Sequence, residues 1–130
     1  MTRGEIIAKW DGMAPRERDA WVAEAVFGWR KEERPNSPES EYNAWYWVNS
    51  SGNVEVPVNF FKPTRLLDDA WSVLEVFYAY IVKRNDGVNH YFAAIKTDEG
   101  AFVSQAYGEA APEAMCLAAI IARLTEEVAA

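Results

Sequence analysis

Near the start of the chain, apolar residues recur at helical spacing. Ile6, Ile7 and Trp10 share one side of a short amphipathic piece over residues 2–10, and Asp11-Gly12 interrupts it. Pro15 suits the first turn of a second helix, where its missing N–H is not needed. Trp21, Ala25 and Gly28, beside Val22, Val26 and Trp29, carry the helical period to about residue 29. Residues 1–14 then stand as an N-terminal extension. The charged stretch 30–41 holds Pro35, Asn36, Ser37 and Pro38 and reads as an exposed loop, with Glu39 and Glu41 solvated.

From residue 42 the pattern alternates. Trp45 and Trp47 fall on one face of a strand over 42–49, Tyr46 and Val48 on the other. Polar residues 49–53 turn the chain. Val54, Val56, Val58 and Phe60 then alternate with Glu55, Pro57 and Asn59, which completes a hairpin. Pro57 cannot donate to a ladder, so its amide side belongs at an edge or a bulge. A helical stripe follows over 65–77, with Leu67, Ala70, Trp71, Leu74 and Phe77 aligned. Strands over 78–84, 90–96 and 101–107 are separated by turns at 85–87 and 97–100. Pro112 opens a closing helix with the expected buried stripe Ala114, Leu117, Ala118, Ile121, Thr125 and Val128; Arg123 precedes Glu127 at pairing distance on its other side.

The order is α-β-β-α-β-β-β-α. Short turns pair the strands antiparallel, and each helix needs a face to cover. The expectation is an α+β fold, with an antiparallel sheet of about five strands in an α/β/α layered sandwich. No repeat or linker divides residues 1–130, so one domain is expected.

Composition narrows the function classes. The net charge is −7, which opposes binding to long nucleic acid, although a locally basic pocket can still hold a small anion. Six tryptophans in 130 residues are a heavy load, and some belong at a core edge or an interface. Tyr78, Tyr80 and Val82 share a strand face that is core if helices cover it and a dimer surface if it is open; a homo-oligomer is expected. The single cysteine, Cys116, fits a reducing cytoplasm. No apolar run is long enough for a membrane span, and the N-terminus lacks a hydrophobic signal core.

Catalytic signals are weak. A triad would need His90, the only histidine, beside Cys116 or a serine. His90 falls in a strand and Cys116 inside an apolar helix, and one of each is too few for an ordinary zinc site. Asp68-Asp69 and Glu126-Glu127 are adjacent pairs on helices, so their carboxylates diverge by about 100°. No glycine-rich phosphate loop occurs, and no cofactor is expected.

One corner carries more chemistry. Lys62-Pro63-Thr64-Arg65 joins the hairpin to the next helix. With Thr64 as N-cap, free backbone amides would be flanked by Lys62 and Arg65, an arrangement that can hold a phosphate. Trp45, Trp47, Phe60 and Phe61 are close by in sequence, and aromatic faces stack on nucleobases. The structural alternative is a simple cap, solvated cations and core aromatics.

Four segments resemble a known family. They are Val26-Phe27-Gly28-Trp29, the Trp45-Tyr46-Trp47 strand with its turn at Gly52, Phe61-Lys62-Pro63-Thr64 followed by Asp69-Ala70-Trp71-Ser72-Val73-Leu74-Glu75, and Ala111-Pro112-Glu113-Ala114-Met115-Cys116-Leu117-Ala118-Ala119. In this order they are similar to the phage-encoded ABA sandwich domain proteins, over about residues 15–125. The resemblance implies a phage or prophage origin, the α/β/α fold and no catalytic residue set. With the anion corner, it leads to the expectation of a non-catalytic accessory protein in the bacterial host cytoplasm. It would act as an anti-defence sponge, sequestering a small nucleotide immune signal through Lys62, Thr64, Arg65, Trp45, Trp47 and Phe61. The alternative is an inhibitor that binds a host protein; a nucleotide-cleaving enzyme fits least well.

Overall fold

The structure, a computed structural model, describes residues 1–35, 43–77, 79–84, 91–96 and 102–129, the side chains at 43, 79, 81, 102 and 126–129 aside. His90, Tyr78, Glu39, Glu41 and the turns at 85–87 and 97–100 lie outside the described residues, and so does any pairing of Arg123 with Glu127. Arg123 itself lies over the Phe77 ring, 5.0 Å from its centroid.

Helix α1 spans Arg3–Asp11 and starts with a capping box. The Glu5 N–H donates to Thr2 Oγ1 (3.2 Å) and the Thr2 N–H to Glu5 Oε1 (2.9 Å). Helix α2 spans Pro15–Val22, with proline in its first turn as expected. The regular helix stops there and does not continue to residue 29. It widens into a π-turn over Ala23–Phe27. Gly28, at φ +71°, ends it in the left-handed region that a β-carbon disfavours, and the Trp29 N–H bonds back to the Ala23 carbonyl (3.1 Å).

Two three-stranded antiparallel sheets replace the expected single sheet of about five strands. The first holds β1 (Arg30–Pro35), β2 (Asn43–Val48) and β3 (Val54–Pro57), in that order. The stretch read as an exposed loop is therefore a strand up to Pro35. Its charges stabilise it in this form: Arg30, Glu32 and Arg34 alternate onto one face, and Glu32 binds Arg30 (3.3 Å) and Arg34 (3.0 Å). The hydrogen bond from Arg34 is the main reason the Glu32 carboxyl titrates below its usual range. Arg34 also donates to the Gly52 carbonyl in the hairpin turn (2.8 Å). Pro57 ends β3, an edge strand, as a residue without an N–H should. Residues Val58–Phe60 leave the ladder as a 3-10 turn.

The second sheet holds β4 (Ala79–Arg84), β5 (Tyr91–Lys96) and β6 (Phe102–Gly108). Helix α4, Ala111–Ala129, packs on all three strands and on α1, α2, the π-turn and α3 (Leu67–Leu74). Residues Ala114 to Ala122 are all buried, so α4 is a central helix rather than one with a single covered stripe. Ser104 fixes it to the sheet, its hydroxyl donating to the Ala118 carbonyl (2.7 Å). Gly108 permits the tight exit from β6, since a β-carbon there would come within 2.8 Å of the Ala114 nitrogen.

Tyr80 and Val82 pack against the core, and Tyr80 lies 5.7 Å from the Trp71 ring. Of the strand face considered as core or dimer surface, the described residues Tyr80 and Val82 are thus partly buried against the core. In the ladder, Phe92 and Tyr107 are partners, with rings 5.2 Å apart and Tyr107 well exposed on the sheet's outer side. Helix α3 is shorter than the expected 65–77. Ala70, Val73 and Leu74 are its buried residues, whereas Leu67 and Trp71 are exposed.

Candidate functional site

A cleft of about 770 Å³ opens between the α1–α2 corner and the first sheet. The helices contribute Lys9, Arg16, Glu17, Asp19, Trp21 and Glu24; the strand side contributes Lys31, Trp47, Phe61, Lys62 and Arg65. Four of the six residues expected from the sequence therefore meet here: Trp47, Phe61, Lys62 and Arg65. Trp45, on the same face of β2 as Trp47, is 54% exposed and does not line the cleft. Phe60, considered with them, points to solvent at 70% exposure.

Thr64 corrects the sequence reading. The N-cap of α3 is Leu66, which makes no side-chain capping bond. Thr64 is buried, and its N–H (2.9 Å) and hydroxyl (2.6 Å) both donate to Asp19 Oδ1. Arg65 donates to Asp19 Oδ2 (2.8 Å). The corner expected to recruit an anion already holds one, the carboxylate of α2. It wins because a buried threonine hydroxyl and amide need an acceptor, and Asp19 supplies one at no cost in ligand entropy. Asp69 does similar work one step away, accepting the Lys62 N–H (2.9 Å). Both acids are structural.

The remaining charges of the cleft are distributed differently. Glu17 accepts the Ala14 N–H (3.1 Å). Lys9, Arg16, Lys31 and Lys62 have no carboxylate partner among the described residues. Two of these lysines rest on rings: Lys9 lies 4.5 Å from the Trp21 centroid and Lys31 5.5 Å from that of Trp47. Trp47 is 1% exposed, so neither ring face is open in this state. Phe61 packs edge-on against Phe27 (5.9 Å) and Trp29 (5.2 Å) and forms part of the floor.

The sequence reading missed Asp19, Lys9, Arg16, Lys31 and Trp21. Asp19 had a signal: it stands at helical spacing with Val22 and Val26, an acid on a buried stripe. Lys31 had one too, in the alternating charges of β1.

The arrangement suits binding of an anion. Among the described residues no three histidine, cysteine or acidic side chains converge as metal ligands. Cys116 is buried; burial pushes its thiol far up, and the charges of Asp19, Asp69 and Glu113 add to this. A protonated, enclosed thiol is not a nucleophile. No helix among the described residues is long and apolar enough to cross a membrane.

Residues 20–120 match the family model of the phage ABA sandwich domain. The chain belongs to this family. All four segments that carried the resemblance lie within the match. A crystal structure of a phage protein from Bacillus cereus ATCC 14579 has the same fold at a TM-score of 0.57 and 21% identity, over 85% of this chain and 93% of the other. No curated protein matches the chain. This ABA sandwich protein thus has a layered α/β fold, and its cleft lies between the α1–α2 corner and the first sheet.

Proposed function

We propose that this phage protein is a non-catalytic accessory factor that sequesters a small nucleotide-like signal in the cleft. One observation carries the reading: five cations against three carboxylates line a single cleft on a chain of net charge −7, and four of the cations, Lys9, Arg16, Lys31 and Lys62, have no carboxylate partner among the described residues. Like charges brought together on an acidic protein are costly without a counter-anion, and a bound anionic ligand removes that cost. A volume of about 770 Å³ is in the range of small-molecule sites. A sponge needs affinity and no chemistry.

Native mass spectrometry after incubation with lysate from a defence-activated bacterium tests this. An added small mass, released intact on denaturation and lost in Lys31→Glu/Lys62→Glu, is expected. No added mass in the unaltered protein, or the same mass on the double variant, would sink the proposal. A ligand released in cleaved form would turn the reading toward an enzyme.

Exposed aromatics favour a second reading, in which the partner is a protein. Trp45 and Phe60 are 54% and 70% exposed, and the Phe92–Tyr107 pair lies on the outer side of the second sheet. Such surfaces suit a host protein or a second copy of this chain. A pull-down from the same lysate, with the mass of the free protein as control, separates these two partners.

A further inference from the structure

We infer that the cleft takes a phosphate monoester, a molecule with one terminal phosphate, and that the phosphate seats against the strand side with an uncharged polar portion against the helical side. The inference rests on the cleft being the ligand site, as proposed above, and adds the charge and the orientation of the occupant.

The two walls of the cleft differ in charge. The strand side carries three cations, Lys31, Lys62 and Arg65, and no carboxylate. The helical side carries two cations, Lys9 and Arg16, against three carboxylates, Glu17, Asp19 and Glu24. One ion pair closes across the cleft, with Arg65 Nη2 2.8 Å from Asp19 Oδ2. Glu17 accepts the neutral Ala14 N–H and so keeps its charge. With the Arg65–Asp19 pair set aside, the helical side has two cations against two carboxylates and cancels. The strand side keeps a surplus of two positive charges, on Lys31 and Lys62. The positive surplus of the whole cleft is therefore on one wall.

That surplus has the size and the place of one group. A phosphate monoester carries about −1.5 to −2 charges at neutral pH and three strong acceptor oxygens. Two ammonium groups on one wall answer both through charge-assisted hydrogen bonds. A phosphodiester, with about one negative charge, leaves part of the surplus unmatched. A second phosphate would have to face the helical wall, where Glu17 and Glu24 oppose it. That wall instead presents donors and acceptors together, from Arg16 and Glu24. Hydroxyl and amine groups, which both donate and accept, suit such a wall without adding charge.

Isothermal titration of the full chain with inorganic phosphate, adenosine 5′-monophosphate and 3′,5′-cyclic adenosine monophosphate tests this. The open monophosphate is expected to bind at least about tenfold tighter than the cyclic diester, which has the same base and sugar but less charge. Lys31→Ala/Lys62→Ala should weaken inorganic phosphate and the open monophosphate alike, at least about 30-fold. Arg16→Ala/Glu24→Ala should weaken the open monophosphate about fivefold and leave inorganic phosphate within about twofold. These side chains are exposed, Lys62 being half-buried, and a thermal melt checks that the fold is kept. The comparison of the open with the cyclic monophosphate needs no variant. Equal or tighter binding of the cyclic diester would overturn the monoester while leaving the sponge reading intact. An equal loss of inorganic phosphate in the two double variants would overturn the orientation. If no probe bound and the lysate-derived mass was still retained, the inference would fail alone. With no retained mass either, it would fall together with the reading on which it stands.

Discussion

Lys62 and Arg65 line the same cleft, are separated by one tight turn and have opposite electrical settings. Arg65 is tied to Asp19, a carboxylate that also takes both donors of buried Thr64. Lys62 has its backbone N–H held by Asp69, but its ammonium has no carboxylate partner among the described residues. One corner of sequence thus contains a closed network and an open charge. The first fixes the turn to α2 and so sets the width of the cleft; the second is available to a ligand. Type of residue did not separate them. The separation comes from Asp19, the buried acid on the neighbouring helix.

Substitutions along this gradient should range from large stability effects to none. Asp19→Ala is expected to destabilise most, by about 3 kcal/mol, because it leaves a buried hydroxyl and amide without an acceptor. Urea unfolding measures it, and a loss below about 1 kcal/mol would mean that water replaces the carboxylate. Thr64→Val removes one charge-assisted bond from the same carboxylate and keeps the shape, so a loss of about 1.5 kcal/mol is expected in the same assay. Arg65→Ala should lose less than about 1 kcal/mol, since 43% of the Arg65 side chain is exposed and solvent screens the pair. A loss as large as that of Asp19→Ala would mean that Arg65 belongs to the buried network after all.

Much of the fold was legible because its signals are local. The capping box at Thr2 and Glu5, the Trp45–Trp47 alternation and the proline at the start of α2 each act within a few residues. The division into two sheets is not local, and neither is the place of α4 on the second sheet. Yet α4 carried a sign of its place: Ala114 to Ala122 contains no charged residue, a run apolar on all sides rather than a stripe. The strand β1 was hidden by its charges, which favour a loop on average but here pair across alternate positions. Four of the six expected site residues do line the cleft, since they flank one turn. Thr64 did not behave as a cap because its partner lies 45 residues away in the chain. Lys9 and Arg16 were beyond reach for the same reason, as only the packing of α1 and α2 on α4 places them across the cleft from the first sheet.

The smallest expected effect on stability is also the sharpest test of the comparison. Lys62→Ala removes an ammonium that pairs with no carboxylate among the described residues, and it leaves the backbone bond to Asp69 in place. Its unfolding free energy should stay within about 0.5 kcal/mol of the unaltered protein. Its retention of the lysate-derived small mass should fall clearly, because the lost charge lines the cleft and no carboxylate among the described residues pairs with it. Thr64→Val should show the reverse order, with lower stability and less change in ligand retention per kcal/mol lost. If Lys62→Ala proved as destabilising as Thr64→Val and kept the ligand, the open charge would be part of the scaffold. The division of this corner into a structural half and a ligand-facing half would then fail.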